Sequence, residues 1–157
     1  MSTPVNTAIA AITENLRTLA GVGPIADYPT EQTGAPWPRV FVYAQNGGWF
    51  IYSHAGANGK PTAITIQTMR IRVIVNRSDL PKDIELLMPY ADRVPLALLS
   101  GYVTDKFNGS IMTFGDARSP GSNAGIECSG PVADQYGDTK TVELQFSFNC
   151  SISLDIP

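Results

Sequence analysis

The stretch Val142–Leu154 reads VELQFSFNCSISL. Every second residue is apolar: Val142, Leu144, Phe146, Phe148, Cys150, Ile152 and Leu154. Glu143, Gln145, Ser147, Asn149, Ser151 and Ser153 fill the places between. Alternation with period two predicts a β-strand with one buried face and one wet face. At roughly 3.3 Å per residue, this run alone spans about 40 Å. A strand of that length is expected to reach past its own domain, and this directs attention to assembly before chemistry.

The rest of the chain is read outward from that strand. Val5, Ile9, Ile12, Leu16 and Leu19 recur at three- and four-residue spacing. They predict an opening helix, capped by Ser2 or Thr3, with Pro4 in its first turn and Gly21 as its stop. Residues 22–38 hold Pro24, Pro29, Pro36 and Pro38 and predict a loop. Val40–Ala44 predicts a strand, Asn46-Gly47 a hairpin turn, and Trp49–Tyr52 the returning strand. Residues 53–62 are Gly- and Pro-rich and predict an exposed loop tip. Ala63–Asn76 predicts a second long strand. Its apolar phase changes from Ile64 and Ile66 to Met69, Ile71, Val73 and Val75, which predicts a bulge near Gln67-Thr68. Arg70 and Arg72 are then expected to point away from the core. Ser78 or Asp79 is expected to cap a second helix through Leu99, broken or kinked at Pro89 and Pro95 and closed by Gly101. Ser110–Phe114, residues 125–136 and Thr139–Leu154 complete the strands. The expected fold is one α+β domain over residues 1–157. It has a mainly antiparallel sheet, two helices packed on it, and a Gly-rich hairpin at about 46–62.

Composition narrows function. The chain has 157 residues, is 43% apolar and is only 16% charged. A polar but weakly charged surface suits burial against neighbouring subunits, because uncharged groups are less costly to desolvate. The net charge of −3 offers no basic footprint for nucleic acid. No segment approaches the roughly 20 apolar residues that cross a bilayer, and no signal peptide is read at the N-terminus. His54 is the sole histidine, so zinc ligation and a Ser-His-Asp arrangement lack material. Gly21, Gly23 and Ala26 match a dinucleotide fingerprint in letters only, since the run follows a helix and contains Pro24. Asp79 with Asp83, and Asp134 with Asp138, read as helix-start and turn carboxylates. Cys128 and Cys150 are expected as reduced, mostly buried thiols, with a disulfide open to them if their strands pair. No cofactor or metal site is expected. Trp37, Phe41, Tyr43, Trp49, Phe50 and Tyr52 crowd the first hairpin, either as core or as an anchor for a neighbour.

In element order the chain resembles the tail-terminator (tail completion, neck) proteins of long-tailed bacteriophages. The likeness rests on the opening helix through Leu19-Ala20-Gly21 and on Pro38-Arg39-Val40-Phe41-Val42 after a Pro-rich loop. It continues through a Gly-rich hairpin, Met69–Val75, the Pro-interrupted helix Leu80–Leu99, and Tyr136-Gly137-Asp138 leading into the closing strand. The resemblance implies a non-enzymatic virion protein forming a homo-oligomeric, hexameric ring. That ring would contact the tail tube protein on one side and the head–tail connector protein on the other, with DNA only passing through its channel. Assembly in the host cytoplasm and a place in the virion neck are implied with it. Residues 46–62 and the ends of strand 139–155 are expected to form subunit or tube contacts, and Trp49, Phe50, Tyr52, His54, Arg70, Arg72 and Glu143 are the candidate contact residues. Two alternatives stay open: another neck or tail component, such as a connector-completion or tube protein, and a small α+β ligand-binding domain or enzyme.

Overall fold

The computed structural model describes residues 3–19, 25–26, 38–45, 49–53, 62–115, 125–136 and 139–155. Helix α1 (Pro4–Leu16) is followed by strands β1 (Ile25–Ala26), β2 (Arg39–Ala44), β3 (Trp49–Ser53) and β4 (Thr62–Asn76). Helix α2 (Leu80–Gly109) then leads to β5 (Thr113–Phe114), β6 (Ile126–Tyr136) and β7 (Thr139–Asp155). The fold is α+β with a mainly antiparallel sheet, as the periodicities predict.

The sheet is organised by two long central strands. β4 and β7 pair antiparallel without interruption from Thr62 opposite Asp155 to Asn76 opposite Thr141. β7 is therefore matched in length by β4 and does not run past its own sheet. The bulge expected near Gln67-Thr68 is also absent, because the register is constant through it. The apparent phase change has another cause. Odd-numbered β4 residues share one face throughout, with Met69, Ile71, Val73 and Val75 in the core and Thr65 and Gln67 buried beyond them. Gln67 Nε2 donates to Thr65 Oγ1 at 2.7 Å, which lets two polar residues occupy core-phase positions. Ile64 and Ile66 lie in the opposite phase and belong to the second face.

The expected β2–β3 hairpin is not formed. β2 pairs with Met69–Ile74 and β3 with Thr62–Ile66, both antiparallel to β4 and on the same side of it. The two short strands run in one direction, end to end, because the longer partner captures both. The hairpin connection is instead β3 to β4. β5 and β6 likewise lie end to end along β7, and β1 pairs parallel with Val40 and Phe41 of β2.

One face of the sheet carries both helices. Ala8, Ile9, Ile12 and Leu16 of α1, and Leu87, Tyr90, Val94 and Leu98 of α2, pack against Val40, Val42 and the apolar phases of β4 and β7. Thr3 caps α1, its Oγ1 accepting from Asn6 N at 3.2 Å. The helix ends at Leu16, with turns through Leu19; Gly21, the expected stop, lies outside the described residues. At the start of α2 the buried Asp83 carboxylate accepts from Ser78 N (2.9 Å) and Asp79 N (3.0 Å). The backbone stays helical through Pro89 and Pro95, and non-helical dihedrals begin only at Asp105. Pro89 is exposed, so water can hydrate the Glu85 carbonyl that loses its helical donor there. Gly101 does not close the helix. A Cβ there would lie 2.6 Å from Asn15 Nδ2 and 2.7 Å from Phe107 Cε1, so the glycine is required for close packing of α1 on α2. α2 ends in a left-handed turn instead, with φ of 54°, 53° and 59° at Lys106, Phe107 and Asn108 and 71° at Gly109. Phe107 is buried by that turn and meets Phe114 edge-on at 6.4 Å.

Candidate functional site

The second face of the sheet gathers the polar residues that alternate with the core. Across neighbouring strands they form rows: Arg39, Ile74, Glu143 and Val132; then Phe41, Arg72, Gln145 and Ser129; then Tyr43, Arg70, Ser147 and Glu127. Sequence spacing places Arg70, Arg72 and Glu143 on one surface, and the structure brings all three to this face.

Their environments differ. Glu143 is fully buried, although the alternation assigns it to the wet phase. Arg72 explains this. Its Nε lies 3.1 Å and its Nη2 2.6 Å from Glu143 Oε2, a forked charge-assisted contact. Gln145 Nε2 donates to Glu143 Oε1, and Arg72 Nη2 reaches Asp134 Oδ2 at 3.4 Å. Burial alone would lower the Arg72 pKa. The hydrogen bond and charge of Glu143 outweigh it, aided by Tyr43 and Asp134, and raise the pKa. Arg72 and Glu143 thus neutralise each other inside one chain. Arg39, Phe41 and Ile74 are buried around them, so this part of the second face is a small core of its own.

Arg70 differs from Arg72. Its Nε donates to Gln45 Oε1 at 3.0 Å, and among the described residues no carboxylate pairs with it. Below it Thr68 Oγ1 donates to Asn149 Oδ1 at 2.7 Å. Two adjoining shallow depressions, of about 340 and 370 Å³, share Arg70, Glu127 and Ser147 in their walls. This part of the face offers Thr, Ser, Asn and Gln groups with one cation, Arg70, and one carboxylate, Glu127. It presents hydrogen-bonding surface, with Cys128 and Ser129 in the wall of the first depression.

Trp49, Phe50 and Tyr52 stand on β3, opposite Ile66, Thr65 and Ala63 of β4, which places them at the other end of the sheet from the Arg72–Glu143 pair. His54 lies outside the described residues. Among the described residues no three His, Cys, Asp or Glu side chains converge as metal ligands, and no helix is long and apolar enough to cross a membrane.

Both cysteines are free. Their strands pair, yet Cys128 stands opposite Phe146 while Cys150 stands opposite Gln67 and Phe114. The offset along the strands keeps the sulfurs apart. Cys150 is buried, and burial pushes its thiol from 9.0 up to about 12. Cys128 is exposed rather than buried as expected, and partial desolvation raises its thiol too.

Sequence reasoning missed the Glu143–Arg72 ion pair. The signal was present: a single charge in an otherwise uncharged polar phase, on a strand long enough to sit at the sheet centre. Compared with known proteins, the chain matches no protein-family model and no curated protein.

Proposed function

We propose that this chain is a ring-forming tail terminator of a long-tailed bacteriophage, a structural neck protein that caps the tail tube and joins it to the head-side connector. The observation that carries the reading is the second face of the sheet. Its central pair, Arg72 and Glu143, is neutralised within the chain, and beside the charged Arg39, Arg70, Glu127 and Asp134 its polar groups are neutral hydrogen-bonding side chains. Such a surface meets protein neighbours at low desolvation cost. It also holds too few cations to retain DNA through phosphate contacts, as a conduit requires. The order of elements supports the same reading: opening helix, strand, Gly-rich connection, long strand, long helix and long closing strand follow the order on which the resemblance rests.

In this role the protein binds copies of itself, the tube protein and a connector, and performs no catalysis. Negative-stain electron microscopy of the purified protein is expected to show rings, and labelled antibody is expected to mark the neck of assembled particles. A strictly monomeric protein absent from the neck overturns the proposal.

A further inference from the structure

The outer edges of the sheet are unequal, and the difference has a pattern. The upper outer edge of β2 is covered by β1 at Val40 and Phe41. The outer edge of β6 is blocked for strand addition. It contains Pro131, which has no N–H, and a register break between Ser129 and Val132, and it exposes Glu127 and Asp134. Beyond the lower part of β2 and the short outer strands β1 and β5, two further edge segments have no second neighbouring strand among the described residues. One is β3, Trp49–Ser53, paired only with β4. The other is the end of β7 beyond Ser151, where β5 has ended and pairing continues only to β4. Both lie at the same end of the sheet, on opposite sides of it.

The direction of their backbone groups follows from neighbouring hydrogen bonds. Met112 N donates to Ser151 O at 2.7 Å and Gly115 N to Asn149 O at 2.7 Å. The odd-numbered residues at this end of β7, Asn149, Ser151 and by alternation Ser153, therefore aim N–H and C=O away from β4. On the other side Gln45 N donates to Thr68 O at 2.8 Å. The even-numbered β4 residues thus aim toward β2 and β3, so Trp49, Ile51 and Ser53 bond to β4 while Phe50 and Tyr52 aim their N–H and C=O outward.

We infer that subunits join by strand addition, head to tail, with the Ser153 segment of β7 in one copy pairing parallel to β3 of the next. This rests on the ring reading above and deepens it. Three features agree. β3 and β7 both run antiparallel to β4, so they run parallel to each other, and rotation about an axis along the strands keeps them so. In a parallel ladder one residue bonds to the two neighbours of the residue beside it. Ser153 set beside Ile51 donates its N–H to the Phe50 carbonyl and accepts from the Tyr52 N–H. Finally, Ile51 stands opposite Ile64, and Ile64 opposite Ser153. All three occupy one row of the pleat, so this register carries the same sheet face from copy to copy, whereas a one-residue slip inverts it. An interface between two different edges is heterologous, the class that forms a ring where its rotation closes and a filament where it does not.

The test uses the full chain with Cys128→Ser, which removes the exposed native thiol. Ile51 and Ser153 of one chain are separated by two strand spacings, about 10 Å, beyond the roughly 7 Å Cα limit of a disulfide. Any bond between cysteines placed there joins two copies. Oxidising the Ile51→Cys, Ser153→Cys variant is expected to give a covalent ladder up to the closed ring, while each single variant stays monomeric in denaturing gels. As a second arm, Ser153→Pro removes an outward N–H that faces away from β4; it is expected to keep the circular dichroism spectrum and lose the rings. Rings in the unmodified protein with no ladder, or a covalent dimer from Ser153→Cys alone, overturn the strand-addition interface and leave the ring reading standing. No rings and no ladder overturn the ring reading itself.

Discussion

Glu143 shows how one residue can belong to two patterns. Alternation assigns it to the polar phase of β7, and its side chain does lie on that face. Its complete burial depends on Arg72, which supplies a forked contact and a compensating charge. Removing one partner of a buried pair strands the other charge, which typically costs about 3–5 kcal/mol. Arg72→Ala is expected to lower unfolding free energy by that order in urea titration. Replacing both partners, as Arg72→Met with Glu143→Leu, is expected to cost much less, because no charge is left buried. The two thiols give a second residue-scale prediction. A thiol reagent is expected to titrate Cys128 alone in the native protein and both after unfolding. Cys150 also sets a pH dependence with a definite sign. Below 9.0 its thiol is protonated in both folded and unfolded chains and stability is unaffected. Between 9.0 and about 12 only the unfolded chain ionises, so stability falls as pH rises. Comparing urea midpoints on either side of pH 9.0 reads this slope, and Cys150→Ala is expected to flatten it. Neither the ion pair nor the contrast between the thiols was legible from alternation, which gives the face of a residue but not its cover.

At the scale of elements, what local patterning encodes was legible and what neighbouring strands decide was not. The β7 alternation, the α1 stripe and the apolar stripe of α2 all correspond to observed elements, because each is a period within one segment. The Asn46-Gly47 signal misled about pairing. A turn propensity acts over a few residues, whereas β4 offers a continuous partner long enough to hold β2 and β3 in line. The same long register explains Ile64 and Ile66, which belong to the second face of an unbroken strand. Pro89 shows tertiary packing overriding propensity. α2 buries Leu87, Tyr90, Val94 and Leu98 against the sheet, and this keeps the helix continuous across a residue that disfavours it by about 3 kcal/mol relative to alanine. Pro89→Ala restores the helical donor at an exposed position. It is expected to raise stability by about 1 kcal/mol or more, since the proline's restriction of the unfolded chain offsets part of the gain; a lowered urea midpoint contradicts this account.

For the molecule as a whole, class and element order were legible; the edges on which the proposed assembly rests were not. They depend on which strands flank β4 and β7, and that is fixed by contacts far apart in sequence. The central ladder joins residues 65 apart at Asn76 and Thr141 and 93 apart at Thr62 and Asp155. Contacts of such separation form slowly, because loop closure precedes the energy that rewards it. β7 also leaves the ribosome after every strand it pairs with. Until it docks, β4, β5 and β6 lack their common partner, and the open end of β7 beside Ser153 does not yet exist as an edge. In the proposed assembly, docking of β7 would complete the fold and create the Ser153 side of the joining surface in one event. If subunits join as proposed, a chain whose β7 has not docked offers only its β3 edge, so the sequence order of the strands would hold back head-to-tail joining until the subunit is whole.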